Sequence, residues 1–225
     1  MEFRHEVKFL INRSDMIVIR QRLRAAAYPD PHTIEGKYKI RSLYFDNLQD
    51  KALMEKLNGV NNREKFRIRY YNGDLSYICL EKKSKRGNLG WKESALLTPE
   101  EAQAIADGHP DSMNRMIGSP SPLVRELYAK MSNEGLRGKT IVDYTREPFV
   151  YPAGNVRVTI DYDIRSGLGS TDFLNPDCVT VPVSDAVILE VKWDAFLPDC
   201  IRSAVSLESR EAGAFSKYAA CRIYG

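Results

Sequence analysis

The chain has 225 residues, of which 43% are hydrophobic and 28% charged, a composition typical of a globular protein with one large domain or two small ones. Its 33 basic and 30 acidic residues leave a net charge of only +3, which excludes a protein that wraps nucleic acid through bulk charge. Any strong anion site must therefore come from local clustering.

Period-2 alternation predicts strands, and period-3.6 apolar stripes predict helices, along the whole chain. In chain order they are a strand at 4–11, a helix at 14–27, strands at 39–46, 65–72 and 77–83, helices at 98–108 and 121–131, strands at 140–150, 155–166 and 187–193, and a helical tail at 199–222 interrupted near Gly213. Strands dominate, and no repeat or low-complexity linker divides the chain. We expect one α+β domain over residues 1–225 with an antiparallel sheet.

Capping residues mark the helix ends. Ser14 is expected to cap the first helix. Thr98 and Glu101 have the spacing of a capping box, and Gly108 is expected to end that helix. Ser121, followed by proline, gives the next helix a similar start.

Cysteine spacing and the N-terminus indicate the compartment. Cys79, Cys178, Cys200 and Cys221 include no Cys-x-x-Cys pair, which argues against a zinc site and a dense disulfide framework. The N-terminus is too charged for a signal peptide, and no apolar run approaches the roughly 18 residues of a membrane span. We predict a soluble cytoplasmic protein without a membrane span.

The segment EKFRIRYYNG at 64–73 places Lys65, Arg67 and Arg69 on one face of a strand, because side chains alternate faces. Like charges about 7 Å apart repel by about 2 kcal/mol at an effective dielectric near 20. An anion should compensate this repulsion. A half-exposed sheet with its charged side in water is the alternative explanation for any single strand.

Other predicted strands also have one apolar and one charged face. The residues on the charged faces are Arg4, Glu6 and Lys8; Glu81 and Lys83; Arg157, Thr159, Asp161 and Asp163; and Glu190 and Lys192. If the sheet closes into a barrel with these faces inward, the lumen becomes a cationic channel suited to a chain of phosphates.

Motifs along nearly the whole chain carry a family resemblance. They are RHEVKFLI at 4–11, RSLYFDN at 41–47, KFRIRYYNGD at 65–74, LEKKSKRG at 80–87 followed by GWKES, YTREPF at 144–149, VRVTIDYDIRS at 156–166, ILEVKW at 188–193 and SKY at 216–218. In this order they resemble the VTC domain, the polyphosphate polymerase branch of the triphosphate tunnel metalloenzyme (CYTH-like) superfamily.

The resemblance implies a closed, eight-stranded antiparallel barrel with a basic lumen and helices packed outside. It implies transfer of the γ-phosphate of ATP to a growing polyphosphate chain, with ADP released and Mn²⁺ or Mg²⁺ as cofactor. The partners would be ATP and inorganic polyphosphate.

The resemblance also implies the site residues. The phosphate ligands would be Lys8, Arg67, Arg69, Lys83, Lys92, Arg146, Arg157 and Lys217, with Lys65, Lys192, Ser216 and Tyr218 as neighbours. The catalytic residues among them would be Arg67, Arg69 and Lys83, together with Glu190 as the metal carboxylate. Glu6 either assists the metal or pairs with Arg4 or Lys8. Glu81 is either a second carboxylate near the metal or a counter-charge.

The first strand departs from the wider superfamily. Hydrolase and cyclase members typically carry Glu-x-Glu-x-Lys there, whereas this chain has Arg4, Glu6 and Lys8. Losing one carboxylate removes a metal ligand and adds a cation. The departure favours a polymerase over a hydrolase of small triphosphates.

Two other functions remain open at this point, a tripolyphosphate or nucleoside triphosphate hydrolase and a non-catalytic polyphosphate-binding module. Single-stranded RNA is disfavoured, because its recognition needs stacking aromatics on the basic face. Phe66, Ile68 and Tyr70 lie on the opposite face, so we expect no nucleic-acid partner.

Overall fold

The computed structural model describes residues 4–87, 89–207 and 210–224, and it has the α+β class that the sequence predicts. The strands are β1 (His5–Ile11), β2 (Tyr28–Pro29), β3 (Tyr38–Asp46), β4 (Arg63–Tyr71), β5 (Asp74–Arg86), β6 (Leu89–Leu97), β7 (Arg137–Tyr151), β8 (Val156–Ser166), β9 (Val181–Ser184) and β10 (Val187–Trp193). The helices are α1 (Arg13–Ala26), α2 (Lys51–Leu57), α3 (Pro99–Asp107), α4 (Pro110–Ile117), α5 (Pro122–Asn133), α6 (Asp199–Val205) and α7 (Lys217–Ile223).

The chain forms two compact units. Unit 1 consists of Met1–Lys39, Tyr144–Ile164 and Ser184–Ser216. Unit 2 consists of Ile40–Asp143, Arg165–Val183 and Lys217–Gly225. The expectation of a single domain stays a prediction.

The core of unit 1 lies between two helices and the apolar faces of three strands. Strands β1, β10 and β8 pair antiparallel, with Lys8 opposite Glu190 and Glu190 opposite Thr159. Apolar residues of α1 and α6 pack against the apolar faces of these strands, which removes apolar surface from water. The members of this core include Met16, Ile19, Leu23, Val158, Ile160, Leu189, Val191 and Ile201.

The core of unit 2 is built in the same way from β3, β4 and β5 and the helices α3, α4 and α5. Phe66, Ile68 and Tyr70 all belong to it and are nearly inaccessible to solvent. Leu80 on β5 and Leu127 on α5 are fully buried in the same cluster. The apolar half of the alternating pattern in β4 is thus its helix-facing side.

The predicted closed barrel is wrong. The hydrogen-bonded strand order is β1-β10-β8-β7-β3-β4-β5-β6, and it is an open path because β1 and β6 do not pair within the described part of the chain. The outer edge of β1 is already used, since Gly213 donates its N–H to the Lys8 carbonyl at 2.8 Å and Phe9 bridges to Ala212. That edge is therefore not available to β6.

The N-terminus of α1 differs from the prediction. Asn12, not Ser14, is the cap, and it forms a capping box with Asp15 through hydrogen bonds of 2.8 and 3.1 Å. Both residue types make good caps, so the local sequence does not separate them. The capping box of Thr98 and Glu101 is confirmed.

Five elements have no counterpart in the prediction, namely α2, α4, β2, β6 and β9. The interruption of the C-terminal tail is also wider than expected, because Ala212 and Gly213 bond to the edge of β1. Residues 208 and 209 of the predicted tail lie outside the described residues. Among the described residues, no helix has the length and apolar character that crossing a membrane requires.

Candidate functional site

Strands β4 and β5 of unit 2 carry a set of cations on the side opposite the core. Lys65, Arg67 and Arg69 follow one another along β4, as the alternation predicts, and the register places Lys65 opposite Lys83 and Arg67 opposite Glu81. Lys83 in turn lies opposite Lys92 of β6. We call this set the charged face of unit 2; its residues are Lys65, Arg67, Arg69, Glu81, Lys83 and Lys92.

Glu81 is the counter-charge of this face. Its Oε2 lies 2.7 Å from Nε and 2.5 Å from Nη2 of Arg67, and 3.8 Å from Nη1 of Arg69. Its Oε1 accepts a hydrogen bond of 3.1 Å from Lys92. Glu81 is buried, which raises the pKa of a carboxyl group, but Arg67, Arg69 and Lys92 outweigh burial and hold its pKa well below the ordinary value. These contacts support the counter-charge interpretation of Glu81.

Neighbouring hydroxyl groups on β3 orient the two guanidinium groups. Arg67 donates from Nη1 to the Tyr44 hydroxyl at 2.7 Å, and its guanidinium lies 5.6 Å from the centroid of that ring. Arg69 donates from Nε and Nη2 to Ser42 Oγ, both at 3.1 Å. A planar guanidinium held at several points loses little further rotamer freedom when it binds an oxyanion.

Lys65 lies over the ring of Tyr218, with Nζ 5.6 Å from the ring centroid. Burial and the nearby cations Lys56, Arg63 and Arg67 lower the pKa of Lys65 to about 8. Tyr218 stacks on Tyr44 at 5.1 Å and belongs to α7, the helix that Lys217 opens. Lys65 is thus a cation that loses its proton more easily than an ordinary lysine.

Unit 1 carries a checkerboard of charges across β1 and β10. Glu6 lies opposite Lys192, and Lys8 lies opposite Glu190. Lys8 Nζ is 2.5 Å from Glu6 and 3.4 Å from Glu190, while Lys192 Nζ is 2.7 Å from Glu190 and 3.3 Å from Glu6. Each lysine bridges both carboxylates, so the four charges neutralise one another. We call them the checkerboard.

The ion pairs of the checkerboard fix its protonation. Burial raises the pKa of the Glu190 carboxyl group, but Lys192, Lys8 and Arg146 outweigh burial, so the pKa lies well below its ordinary value. Glu6 also has a lowered pKa, although burial and the charge of Glu190 oppose the effect of its two lysines. Both carboxylates are ionised at neutral pH.

Arg146 and Arg157 complete the charged face of unit 1. Arg146 makes a bidentate pair with the fully buried Asp161, at 2.6 and 2.7 Å, and its guanidinium lies 5.5 Å from the ring centroid of Tyr144. Arg157 donates from Nη2 to the Tyr38 hydroxyl at 2.6 Å and to Asp30 at 3.2 Å. We call the whole set the charged face of unit 1; its residues are Glu6, Lys8, Arg146, Arg157, Thr159, Asp161, Glu190 and Lys192.

The carboxylates of this face fit a hard divalent cation. Glu6 and Glu190 are ionised oxygen donors on adjacent strands, and Mg²⁺ is commonly bound through one or two carboxylates together with substrate phosphates. No group of three or more His, Cys, Asp or Glu side chains suited to a metal occurs in residues 4–87, 89–207 and 210–224. A cation held by these two carboxylates would complete its coordination with water or phosphate oxygens.

The predicted site residues divide between the two units. Unit 1 brings together Glu6, Lys8, Arg146, Arg157, Glu190 and Lys192, and it also contains the half-buried Ser216. Unit 2 brings together Lys65, Arg67, Arg69, Lys83 and Lys92, and Lys217 and Tyr218 belong to the same unit. Arg4 does not take part, because its Nε pairs with Asp194 at 2.8 Å.

Some residues of these faces were not expected as site residues. Asp161 was placed on the charged face by alternation, but its pairing with Arg146 requires knowledge of strand register. Asp30, Tyr38 and Ser42 anchor cations from other strands, and no local signal in the sequence marks them.

The chain was compared with protein families, solved structures and curated proteins. A family model described as the VTC domain matches residues 3–223. Among solved structures, a proposed adenylyl cyclase from Hippeastrum, reported to have a dominant triphosphatase activity, is similar with a TM-score of 0.57 and 14% sequence identity, over 99% of this chain and 95% of that one. A proposed adenylate cyclase from Bacillus halodurans has a TM-score of 0.47 and 10% identity, over 91% of this chain and 85% of that one. Among curated proteins, no sequence matches the chain.

Proposed function

Since this chain belongs to the VTC domain family, as its motifs predicted, we propose that it is an ATP-dependent polyphosphate polymerase. It transfers the γ-phosphate of ATP to the end of a polyphosphate chain and releases ADP. The cofactor is Mg²⁺ or Mn²⁺, and the protein acts in the cytoplasm.

The observation that carries the polymerase proposal is the arrangement of the first strand. Arg4 stands where hydrolase members carry a glutamate, and it pairs with Asp194. Two carboxylates, Glu6 and Glu190, then remain on β1 and β10, and both are bridged by lysines. Fewer carboxylates and more cations favour a long polyanion over a small, metal-saturated triphosphate.

In phosphoryl transfer the protein contributes positioning and charge neutralisation rather than covalent chemistry. A terminal oxygen of the acceptor chain attacks the γ-phosphorus, the bond from the γ-phosphorus to its bridging oxygen breaks, and ADP leaves with that oxygen. Arg67 and Arg69 offer planar donors that suit phosphoryl oxygens. Their orientation by Glu81, Tyr44 and Ser42 exists before the substrate arrives.

The lysines of unit 1 bind substrate while each keeps one of its two carboxylate contacts. An ammonium group has three N–H donors, so Lys8 and Lys192 can each keep a carboxylate and also donate to a phosphoryl oxygen. A divalent cation held by Glu190 and Glu6 would neutralise phosphate charge and polarise the phosphoryl group. The substrate-binding set is proposed to include Lys65, Lys83, Lys92, Arg146, Arg157, Ser216 and Lys217 as well.

Product analysis tests the proposal. Incubation with ATP and Mn²⁺ should give ADP and acid-labile phosphate chains, with one ADP for each phosphate added. Arg67→Ala and Glu190→Ala should abolish chain formation. Lys82→Ala is the matched control, because Lys82 pairs with Glu126, Glu64 and Glu93 on the opposite side of β5 and its loss should leave chain formation intact.

A hydrolase is the second candidate function. It is favoured by the retained Glu6 on the first strand and by the triphosphatase activity reported for the Hippeastrum protein, to which the likeness is one of fold. Steady release of orthophosphate without chains would support it and contradict the polymerase. Tight binding of polyphosphate that weakens steeply with salt, without any metal-dependent turnover, would instead indicate a binding module.

A further inference from the structure

Two buried polar atoms on the charged face of unit 1 have no hydrogen-bond partner among the residues that the structure describes. They are Oγ1 of Thr159 and Nε of Arg157. Both residues belong to β8 and lie two positions apart, so their side chains share one face. Thr159 is only 3% exposed, and buried donors without a partner are rare because leaving them unpaired costs free energy.

The protein groups around Thr159 are committed elsewhere. Its register partner is Glu190, but the Glu190 carboxylate is held by Lys192 at 2.7 Å and by Lys8 at 3.4 Å. The register partner of Arg157 is Lys192, another donor. The terminal nitrogen Nη2 of Arg157 is held by Tyr38 and Asp30, which fixes the guanidinium and leaves Nε unused.

The missing partner is therefore an acceptor, and the surrounding charge identifies its class. Thr159 lies on a face with Lys8, Lys192, Arg146 and Arg157, where an anionic oxygen is stabilised by several cations at once. The Cα atoms of Thr159 and Arg157 are about 7 Å apart on one face of the strand, so one phosphoryl group lying between the two side chains can accept a hydrogen bond from each through two of its oxygens.

We propose that the Thr159 hydroxyl and the Arg157 Nε–H together bind one phosphoryl group of the polyphosphate or triphosphate substrate, beside Glu190. This inference rests on the proposed function for the identity of the substrate. Lys192 swings from Glu190 towards the same phosphoryl group when the anion binds, and this movement gives the oxygen access to the hydroxyl. Thr159 is a binding residue that the family motifs do not assign.

Thr159→Val tests the proposal, because it removes the hydroxyl and keeps the branched shape. Tripolyphosphate binding is measured by calorimetry in phosphate-free buffer, and the melting temperature is measured without ligand. We expect affinity to fall about tenfold, which corresponds to about 1.4 kcal/mol, and the melting temperature to stay constant or rise, because an unpaired polar group has been removed. Thr159→Ser should restore most of the affinity.

Thr140→Val is the matched control. Thr140 is as buried as Thr159, at 1% exposure, but its hydroxyl has partners in the protein, since it donates to the Ile141 carbonyl at 3.2 Å and lies 3.4 Å from Ser166 Oγ. This variant should melt at a lower temperature and bind tripolyphosphate like the wild type. The two valine variants should thus change opposite properties.

Three results would overturn the proposal. One is a Thr159→Val protein that binds tripolyphosphate as tightly as the wild type. The second is a Thr159→Val protein that loses as much melting temperature as Thr140→Val, which would mean that the hydroxyl serves the fold. The third is a wild-type protein with no affinity for tripolyphosphate. A wild type that binds tripolyphosphate but forms no chains from ATP refutes the polymerase function and leaves this subsite standing.

Discussion

Replacing Glu81 by glutamine should weaken the fold and strengthen anion binding at the same time. Glu81 is 4% exposed and pairs with Arg67, Arg69 and Lys92. The Glu81→Gln variant keeps the size of the side chain and one carbonyl acceptor but removes the negative charge. Two guanidinium groups with little solvent contact then lack their counter-charge.

The expected loss of stability follows from the burial of these groups. Removing one partner of a buried ion pair costs about 3–5 kcal/mol, and the remaining amide acceptor places Glu81→Gln near 3 kcal/mol. For a chain of this length each kcal/mol corresponds to about 2–4 °C in melting temperature, so we expect a decrease of about 6–12 °C. Tripolyphosphate should bind about tenfold more tightly, because it no longer competes with the carboxylate for Arg67 and Arg69.

Melting curves with and without tripolyphosphate provide the assay, in a buffer free of phosphate and sulfate. The ligand should raise the melting temperature of Glu81→Gln more than that of the wild type, because it supplies the missing negative charge. Glu64→Gln is the control, since Glu64 is one-third exposed and pairs with Lys82 and Lys130 on the other side of the sheet. The melting temperature of this variant should differ little from that of the wild type. If Glu81→Gln melts like the wild type, or gains no extra stabilisation from tripolyphosphate, Glu81 is not the counter-charge of this site.

If Glu190 is the metal carboxylate as proposed, Glu190→Gln should lower metal-dependent ADP release from ATP at least 100-fold. A variant with near wild-type release would contradict that role of Glu190. The pKa of Lys65 in the folded protein, about 8, is below the value of 10.5 for an ordinary lysine. Between these two pH values Lys65 binds more protons in the unfolded chain than in the folded protein, so its contribution makes the free energy of unfolding rise with pH. Over pH 7–9 tripolyphosphate affinity should fall as Lys65 loses its charge, and calorimetry on Lys65→Arg should show a smaller fall, because arginine stays protonated. Tyr218→Phe should lower the free energy of urea unfolding by about 1.5–3 kcal/mol, because the Tyr218 hydroxyl donates to the buried Asp46 carboxylate at 2.7 Å. The control is Tyr224→Phe, since Tyr224 is exposed. Equal free energies of unfolding for the two variants would contradict this role of Tyr218.

Alternation along the strands could be predicted from the sequence because it is a local property. Phe66, Ile68 and Tyr70 on one side of β4 and the three cations on the other follow from a period of two residues. The Thr98 and Glu101 capping box was predicted for the same reason, since its two residues are three positions apart. Both features need no knowledge of the remaining chain.

Features that depend on distant residues could not be predicted. Helix α2 has seven residues, and its first N–H groups are satisfied from outside the helix, where Asp46 accepts hydrogen bonds from Ala52 and Leu53 at 2.8 and 3.0 Å. Gly213, which bonds to the edge of β1, is more than 200 residues away from that strand, and periodicity does not show which edge such a residue occupies. The partners of the buried arginines likewise depend on strand register, which local patterns do not fix.

The two carboxylates and two ammonium groups of the checkerboard, Glu6, Lys8, Glu190 and Lys192, together carry no net charge. A small anion such as orthophosphate gains little there, because it must pull a lysine away from a carboxylate and offers few charges in return. A polyphosphate presents several covalently linked charges, so once one exchange has occurred the next follows at high effective concentration. For a protein that binds polyphosphate as proposed, the acids that already occupy the cations would disfavour single phosphates, and deleting those acids should make it less selective for long chains.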